Sequence, residues 1–135
     1  MLSCHDVAKY ILSLSDEDAG DLISNLKIQK LVYYVQGFHL AIYDKPLFPE
    51  AIEAWIRGPV VPVLFHAYEK HGLEPIPRPE NIDFSIYTSE EKELIDDIYA
   101  VYGQFSAWKL QSMTREEEPW NEFNMGEIKL LDIAD

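Results

Sequence analysis

The side chains best suited to nucleophilic or metal chemistry in this 135-residue chain are its four histidines and its single cysteine, Cys4. His66 and His71 are five residues apart, which places them about 140° apart around a helix rather than on one face. Cys4 is adjacent to His5, and adjacent helical residues do not face each other. The sequence therefore contains neither a helical zinc motif nor a Cys–His nucleophile pair. His39 follows apolar helical positions, which favours a hydrogen-bonded core histidine over a ligand.

Carboxylates and glycines give no catalytic signature either. The run Glu116–Glu118 stands beside Arg115, which is typical of a solvated segment. The six glycines form neither of the phosphate-binding motifs GxGxxG and GxxxxGK[ST], and the serines have no GxSxG setting. The sequence therefore predicts a protein that is not an enzyme and has no catalytic, cofactor-binding or metal-ligating residues. The least favoured alternative is a hydrolase that uses carboxylates and a histidine such as His66.

The positive signal is a short segment, residues 52–57, in which apolar side chains alternate with others. This alternation predicts a half-buried strand, on which Trp55 and Arg57 share one face. Trp and Arg are among the residue types most enriched in binding hot spots. If the chain's own helices cover that face, Trp55 is instead a core residue and Arg57 an ion-pair partner. Our hypothesis for a partner-binding patch comprises Trp55, Arg57, Pro59, Val60 and, on the outer face of the preceding helix, Tyr33.

Two capped helices precede this segment. Ser3 and Asp6 form a predicted capping box for a helix over residues 4–14. Ser24 is the predicted N-cap of the main helix, which extends to about Tyr43 and carries one apolar stripe at helical spacing. The side chains predicted to lie off this stripe are Lys27, Lys30, Tyr33 and Gln36.

Further elements follow the alternating segment. Pro62 is predicted in the first turn of a helix that ends near Gly72. The alternating apolar residues of segment 82–87 suggest a second strand, which would pair with residues 52–57 as a small sheet. Thr88 caps a predicted helix that ends at Gly103, and Ser106 caps a short one. Trp108 and Trp120 are predicted as core or core-rim residues, and the last ten residues are left unassigned.

Together these elements predict an α+β fold, predominantly helical, with a small sheet or hairpin, in one domain over residues 1–135. No apolar run reaches the roughly 18 residues of a membrane-spanning helix, and the N-terminus lacks the basic segment of a signal peptide. One cysteine excludes an internal disulfide. We therefore expect a soluble, cytoplasmic protein.

The chain is strongly acidic, with 24 Asp and Glu against 11 Lys and Arg and a net charge of −13. The basic residues are scattered singly, so no surface that tracks phosphates is predicted and direct nucleic-acid binding is not expected. The acidic field would steer a basic protein partner toward the chain. The simpler alternative is that the charge only maintains solubility.

Four sequence blocks lie between about Asn25 and Trp120: NLKIQKLVYYVQGFHLAIYDKPLF, EAIEAWIRGPVVPVL, YGQFSAWKLQSMT and EEPW. In their order and spacing they resemble the SocA-like antitoxin family, also called the Panacea domain and formerly labelled phage-associated or GepA-like. The sequence departs from the family pattern at Arg115, where a histidine is common, and in its short C-terminal tail. The family has no agreed active site, so the resemblance assigns no catalytic residue.

The resemblance implies a small, mostly helical α+β domain that binds a cognate protein toxin and neutralises it. Some members of the family act as adaptors that deliver the toxin to a protease. We therefore predict an antitoxin whose partner is a protein toxin, basic in charge, and for which a homodimer is compatible with the sequence. The alternative is a proteolytic adaptor or a phage-encoded regulator that binds host protein machinery, with a protease as a further partner.

Overall fold

The computed structural model describes residues 1–116 and 128–133, with side chains up to Thr114. Within these residues five α-helices follow one another along the chain, α1 to α5. They are Cys4–Leu14, Asn25–Tyr43, Pro62–Tyr68, Ser89–Tyr102 and Ala107–Glu116. Three strands, β1 to β3, form one sheet. They are Ile52–Trp55, Gly58–Val60 and Ile128–Ile133. The predicted α+β fold, predominantly helical with a small sheet, is confirmed.

Helix α2 is the centre of the fold because five other elements pack around it: α1, α3, α4, α5 and β2. It starts at Ser24, whose Oγ accepts a hydrogen bond from the Lys27 amide at 3.2 Å. It ends before Asp44, which adopts a left-handed conformation with φ of 57°. Both ends agree with the prediction. The four side chains predicted to lie off the apolar stripe are nevertheless all buried: Lys27, Lys30, Tyr33 and Gln36.

The other helix starts follow local capping signals. Ser3 and Asp6 exchange hydrogen bonds as a capping box for α1, and Thr88 and Glu91 do the same for α4. Pro62 occupies the first turn of α3, as predicted. Among the helices that the structure describes, none is both long and apolar enough to cross a membrane.

The sheet has the order β2–β1–β3, with β1 antiparallel to β2 and parallel to β3. Strand β1 confirms the strand predicted from residue 52, although it ends at Trp55. The predicted second strand at 82–87 is wrong: this segment contains a short 3₁₀ helix, Phe84–Ile86. The reason is local, since Asp83 Oδ1 accepts from the Ser85 amide at 2.9 Å and closes a turn. The partners of β1 are instead β2 and the tail that the sequence left unassigned.

The tryptophans differ from the predicted core positions. Trp108 is 74% exposed on α5 and is therefore not a core residue. Trp120 lies outside the described residues.

Candidate functional site

The tip of the β1–β2 hairpin is the most exposed part of the predicted patch. Trp55 pairs with Gly58 across the hairpin, so Ile56 and Arg57 form the two-residue turn. Gly58 supplies the positive φ of 103° that leads the chain back, a conformation that residues with a Cβ rarely adopt. Ile56 is 50% exposed and Arg57 is also exposed. The turn therefore presents an apolar and a cationic side chain side by side.

Trp55 is half-buried beside this turn. Its ring meets Phe65 of α3 edge to face, with centroids 5.2 Å apart, and its Nε1 donates to Glu53 Oε1 at 2.9 Å. Helix α3 thus contacts one side of the indole, which partly realises the alternative that the chain's own helices cover this strand face. The contact also fixes the orientation of the tryptophan relative to α3.

A cleft of about 180 Å³ lies next to this pair, between the hairpin turn and α3. We call it the hairpin cleft. It is lined by Asn25, Leu26, Arg57, Phe65, Glu69, Gly72 and Leu73. Leu73, at its edge, is 80% exposed. The cleft combines apolar and aromatic walls with one cation and one carboxylate, which is the composition of a surface that anchors a protein side chain.

The remaining residues of the predicted patch do not reach the surface. Val60 and Tyr33 have no exposed area, and Pro59 is also buried. The reason is that β2 packs between α2 and α5, and that every residue of α2 from Lys27 to Gly37 is buried. The expected outer-face position of Tyr33 is corrected: its ring packs against Tyr34 in the core, with centroids 5.5 Å apart.

Buried polar side chains of α2 hold the hairpin and α3 in place. Gln29 Oε1 accepts from the Val61 amide at 2.9 Å, and Gln29 Nε2 donates to Asn25 Oδ1 at 2.9 Å. Asn25 Nδ2 in turn donates to the Phe65 carbonyl at 3.0 Å. Lys30 Nζ donates to the carbonyl of the residue before Val60 at 3.2 Å. These bonds set where Trp55, Arg57 and Phe65 stand.

Gln36 of α2 holds the backbone of the segment between α2 and β1 in the same way. Its Nε2 donates to the Phe48 carbonyl at 2.9 Å, and its Oε1 accepts from the Leu47 amide at 2.7 Å. The sequence reasoning missed these positioning residues. The available signal was the spacing of Asn25, Gln29 and Gln36, four and seven residues apart on one face of an otherwise apolar helix.

The cysteine and the histidines considered for catalysis or metal binding have separate surroundings. Cys4 is fully buried, and burial together with the Glu50 carboxylate raises the pKa of its thiol to about 12. Exposed His66 has its Nδ1 3.4 Å from Glu69 Oε2. His39 is the predicted core histidine, since its Nδ1 donates to the Lys45 carbonyl at 2.7 Å. Within residues 1–114, no three His, Cys, Asp or Glu side chains converge on a metal-sized site.

Comparison with known proteins agrees with the resemblance noted from the sequence blocks. Residues 28–121, more than half of the chain, match the family model described as "Antitoxin SocA-like, Panacea domain". Antitoxin SocA of Caulobacter vibrioides (strain NA1000 / CB15N) is 42% identical over 50 residues, which are 37% of this chain and 27% of that protein. The alignment thus covers about a quarter of the relative's length. No solved structure gives a significant match. On the family match, this chain belongs to the SocA-like antitoxin family with a Panacea domain.

Proposed function

We propose that this protein is an antitoxin that neutralises a cognate protein toxin by binding it directly. The observation that carries the proposal is family membership over residues 28–121. The antitoxin relative supports the same role over the 50 residues it shares with this chain. In this proposal the protein acts in the cytoplasm, without catalysis and without a cofactor.

The contact surface in this proposal is the hairpin cleft together with Trp55. Arg57 and Phe65 offer a cation and an aromatic ring at its walls, and exposed Leu73 extends it. At about 180 Å³ the cleft is smaller than the roughly 300–1,000 Å³ of typical small-molecule pockets. It suits one or two anchoring side chains of a protein partner. Of the predicted patch, Pro59, Val60 and Tyr33 support this surface from the core.

The mechanism is occlusion aided by electrostatic steering. A net charge of −13 raises the local concentration of a basic toxin and speeds the encounter. The aromatic and guanidinium groups then supply the short-range anchor, since such residues dominate binding energy at protein interfaces. Bound in this way, the antitoxin covers the functional surface of the toxin.

Paired double variants test the surface. The cognate toxin is identified first. It is either the product of an adjacent toxic reading frame or the member of a toxin panel from which co-expression of this protein rescues growth. Trp55→Ala with Arg57→Ala should weaken toxin binding by about 30-fold or more and abolish rescue. The matched control, Trp108→Ala with Lys109→Ala, removes an exposed Trp and an exposed basic residue from α5 and should bind normally. Unchanged toxin binding by a folded Trp55/Arg57 variant would refute the proposed surface. If the protein rescued growth from none of the toxins, the proposed function would be refuted.

The second candidate is a proteolytic adaptor or phage-encoded regulator of host machinery. Such a protein needs two binding faces, and a second cleft on the far side of α3, described below, favours it. The half-life of the toxin in cells separates the two: occlusion leaves the toxin level unchanged, whereas an adaptor shortens the toxin's half-life. The described residues give no observation that favours the hydrolase alternative.

A further inference from the structure

A second cleft, of about 340 Å³, lies on the side of α3 opposite to the hairpin cleft. We call it the basic cleft. Its floor is apolar, with Leu12 and Ile76 almost fully buried beside Tyr68. Its rim carries Lys9 and Lys70, both exposed, and His71; Ala67 and two prolines complete the lining.

The helical period explains why the two clefts are separate. Phe65 and Glu69 are four residues apart on α3 and the turn that follows it, and they line the hairpin cleft. Tyr68 and His71 are three residues apart on the opposite side, and they line the basic cleft. One short helix thus forms a wall of each.

The charge of the basic cleft is opposite to that of the protein. The chain has 24 acidic residues against 11 Lys and Arg, yet among the residues that the structure describes none that lines this cleft is acidic. Two of the carboxylates close in sequence are engaged or placed elsewhere. Asp6, one turn before Lys9, accepts from the Ser3 amide at 2.9 Å, and Glu69 lies beside His66 and lines the other cleft. Glu74 and Glu80 are near lining residues in sequence, but neither lines the cleft.

The wall of the cleft opposite α3 is held in place by hydrogen bonds. The Ile76 amide donates to the Ile23 carbonyl at 2.8 Å, and the Arg78 guanidinium donates to the Ser13 carbonyl at 2.7 Å. Pro75, Pro77 and Pro79 fix φ along the same segment. A preformed groove of this kind loses little conformational freedom when it binds.

We propose that the basic cleft binds an extended segment of a partner protein in which carboxylates stand next to apolar side chains. The apolar floor takes the apolar side chains, and Lys9, Lys70 and His71 meet the carboxylates. A membrane surface fits less well, because stable attraction to anionic lipid takes about four to eight clustered Lys or Arg. The net charge of −13 also repels such a surface. The proposal rests on residues outside the hairpin cleft and does not depend on the antitoxin function.

Selection from a library of random 12-residue peptides tests the ligand class. Enriched peptides should carry Asp or Glu beside apolar residues. On titration of one enriched peptide into ¹⁵N-labelled protein, the amide signals of Lys9, Ala67 and Lys70 should shift. Failure to enrich acidic–apolar peptides, or shifts confined to other residues, would overturn the proposal.

Matched charge reversals test the rim. Lys9→Glu with Lys70→Glu should weaken the enriched peptide by about tenfold or more. Lys45→Glu with Lys109→Glu changes the net charge equally through two exposed lysines outside the cleft, and it should weaken binding by less than about twofold. Equal losses in both variants, or binding to phosphatidylglycerol vesicles without peptide binding, would also overturn the proposal. Whether the Lys9/Lys70 variant still rescues growth from the toxin reports on the antitoxin function separately.

Discussion

Gln29, in the second turn of α2, accepts a hydrogen bond on its Oε1 from the backbone amide of Val61, 2.9 Å away and fully buried. Val61 directly follows β2 and precedes α3, so this one bond fixes the junction of the two elements that form the hairpin cleft. A buried amide without a partner costs about 1–3 kcal/mol, which makes this junction sensitive to a single side chain.

Replacing this glutamine should therefore destabilise the fold. Gln29→Leu removes the hydrogen bonds that Gln29 makes to the Val61 amide and to Asn25 Oδ1. We therefore expect the free energy of unfolding, measured in urea titrations, to fall by about 2 kcal/mol or more. Gln104→Leu is the control, because Gln104 is exposed and its loss should change stability by about 0.5 kcal/mol at most. Equal effects of the two substitutions would contradict the role assigned to Gln29.

Gly58, the one glycine of the hairpin, should not tolerate a side chain. A Cβ there would lie 3.2 Å from Thr114 Oγ1 and 3.4 Å from Lys30 Cε, in addition to the strain of φ at 103°. Gly58→Ala should cost about 2 kcal/mol or more of unfolding free energy. Gly20→Ala has a positive φ of 85° but open space, so it should cost only about 1 kcal/mol. Thermal and urea unfolding of both variants measure the difference, and a larger loss at Gly20 would argue against close packing at Gly58.

The thiol of Cys4 should be unreactive in the folded protein. Its pKa is raised from 9.0 to about 12, chiefly by burial and then by Glu50, so the thiolate fraction at neutral pH falls about a thousandfold. We expect a disulfide reagent such as DTNB to label the native protein at least about 10³ times more slowly than the protein in urea. Because Cys4 is the chain's one cysteine, the absorbance reports this site alone. Rapid stoichiometric labelling of the native state would disprove the burial.

Stability should decline at alkaline pH. The pKa is raised to about 12 for Cys4, by burial and Glu50, for Tyr10, by burial and Asp96, and for Tyr99, by burial and Asp21. Raised folded-state values mean that the unfolded chain releases these protons first, so their contribution is complete below about pH 9 and is lost toward pH 12. The lowered pKa of buried Lys27 acts in the opposite direction, but as one group against several.

Urea titrations between pH 8 and pH 11 measure this decline. Tyr10→Phe and Tyr87→Phe should each reduce the slope, since the pKa of Tyr87 is also raised, by burial and then by Asp6. Recovery of stability on return to pH 8 serves as the control for chemical damage. A stability that stays constant or rises from pH 9 to pH 11 would be incompatible with these burials.

Features decided by neighbouring residues could be predicted from the sequence. Ser3 with Asp6, and Thr88 with Glu91, close capping boxes within four residues, and α1 and α4 start where these signals stand. The apolar repeat of α2 and the alternation from residue 52 likewise depend on short spacings. The sequence therefore indicated the fold class and the place of β1.

Features that depend on distant packing could not be predicted. Lys30 and Gln36 were placed off the apolar stripe of α2, yet both are buried. Their partners are backbone atoms that periodicity does not reveal. For the same reason the burial of Tyr33, Pro59 and Val60 was not foreseen. Arg57 was expected on the strand face that carries Trp55, but β1 ends before it, and Arg57 lies exposed in the turn. The β3 pairing joins residues more than 70 positions apart and has no local signal.

The hydrogen bonds from α2 side chains to backbone groups have a consequence for how this domain can evolve. Asn25, Gln29 and Gln36 reach the hairpin, α3 and the segment after α2 through carbonyl and amide groups that every amino acid supplies. Exposed side chains such as those of Arg57 and Leu73 can therefore be exchanged without loosening the attachment. A single scaffold can in this way acquire new specificities by substitution at its surface alone. The same property makes the hairpin and α3 suitable positions for randomisation in a designed binder library.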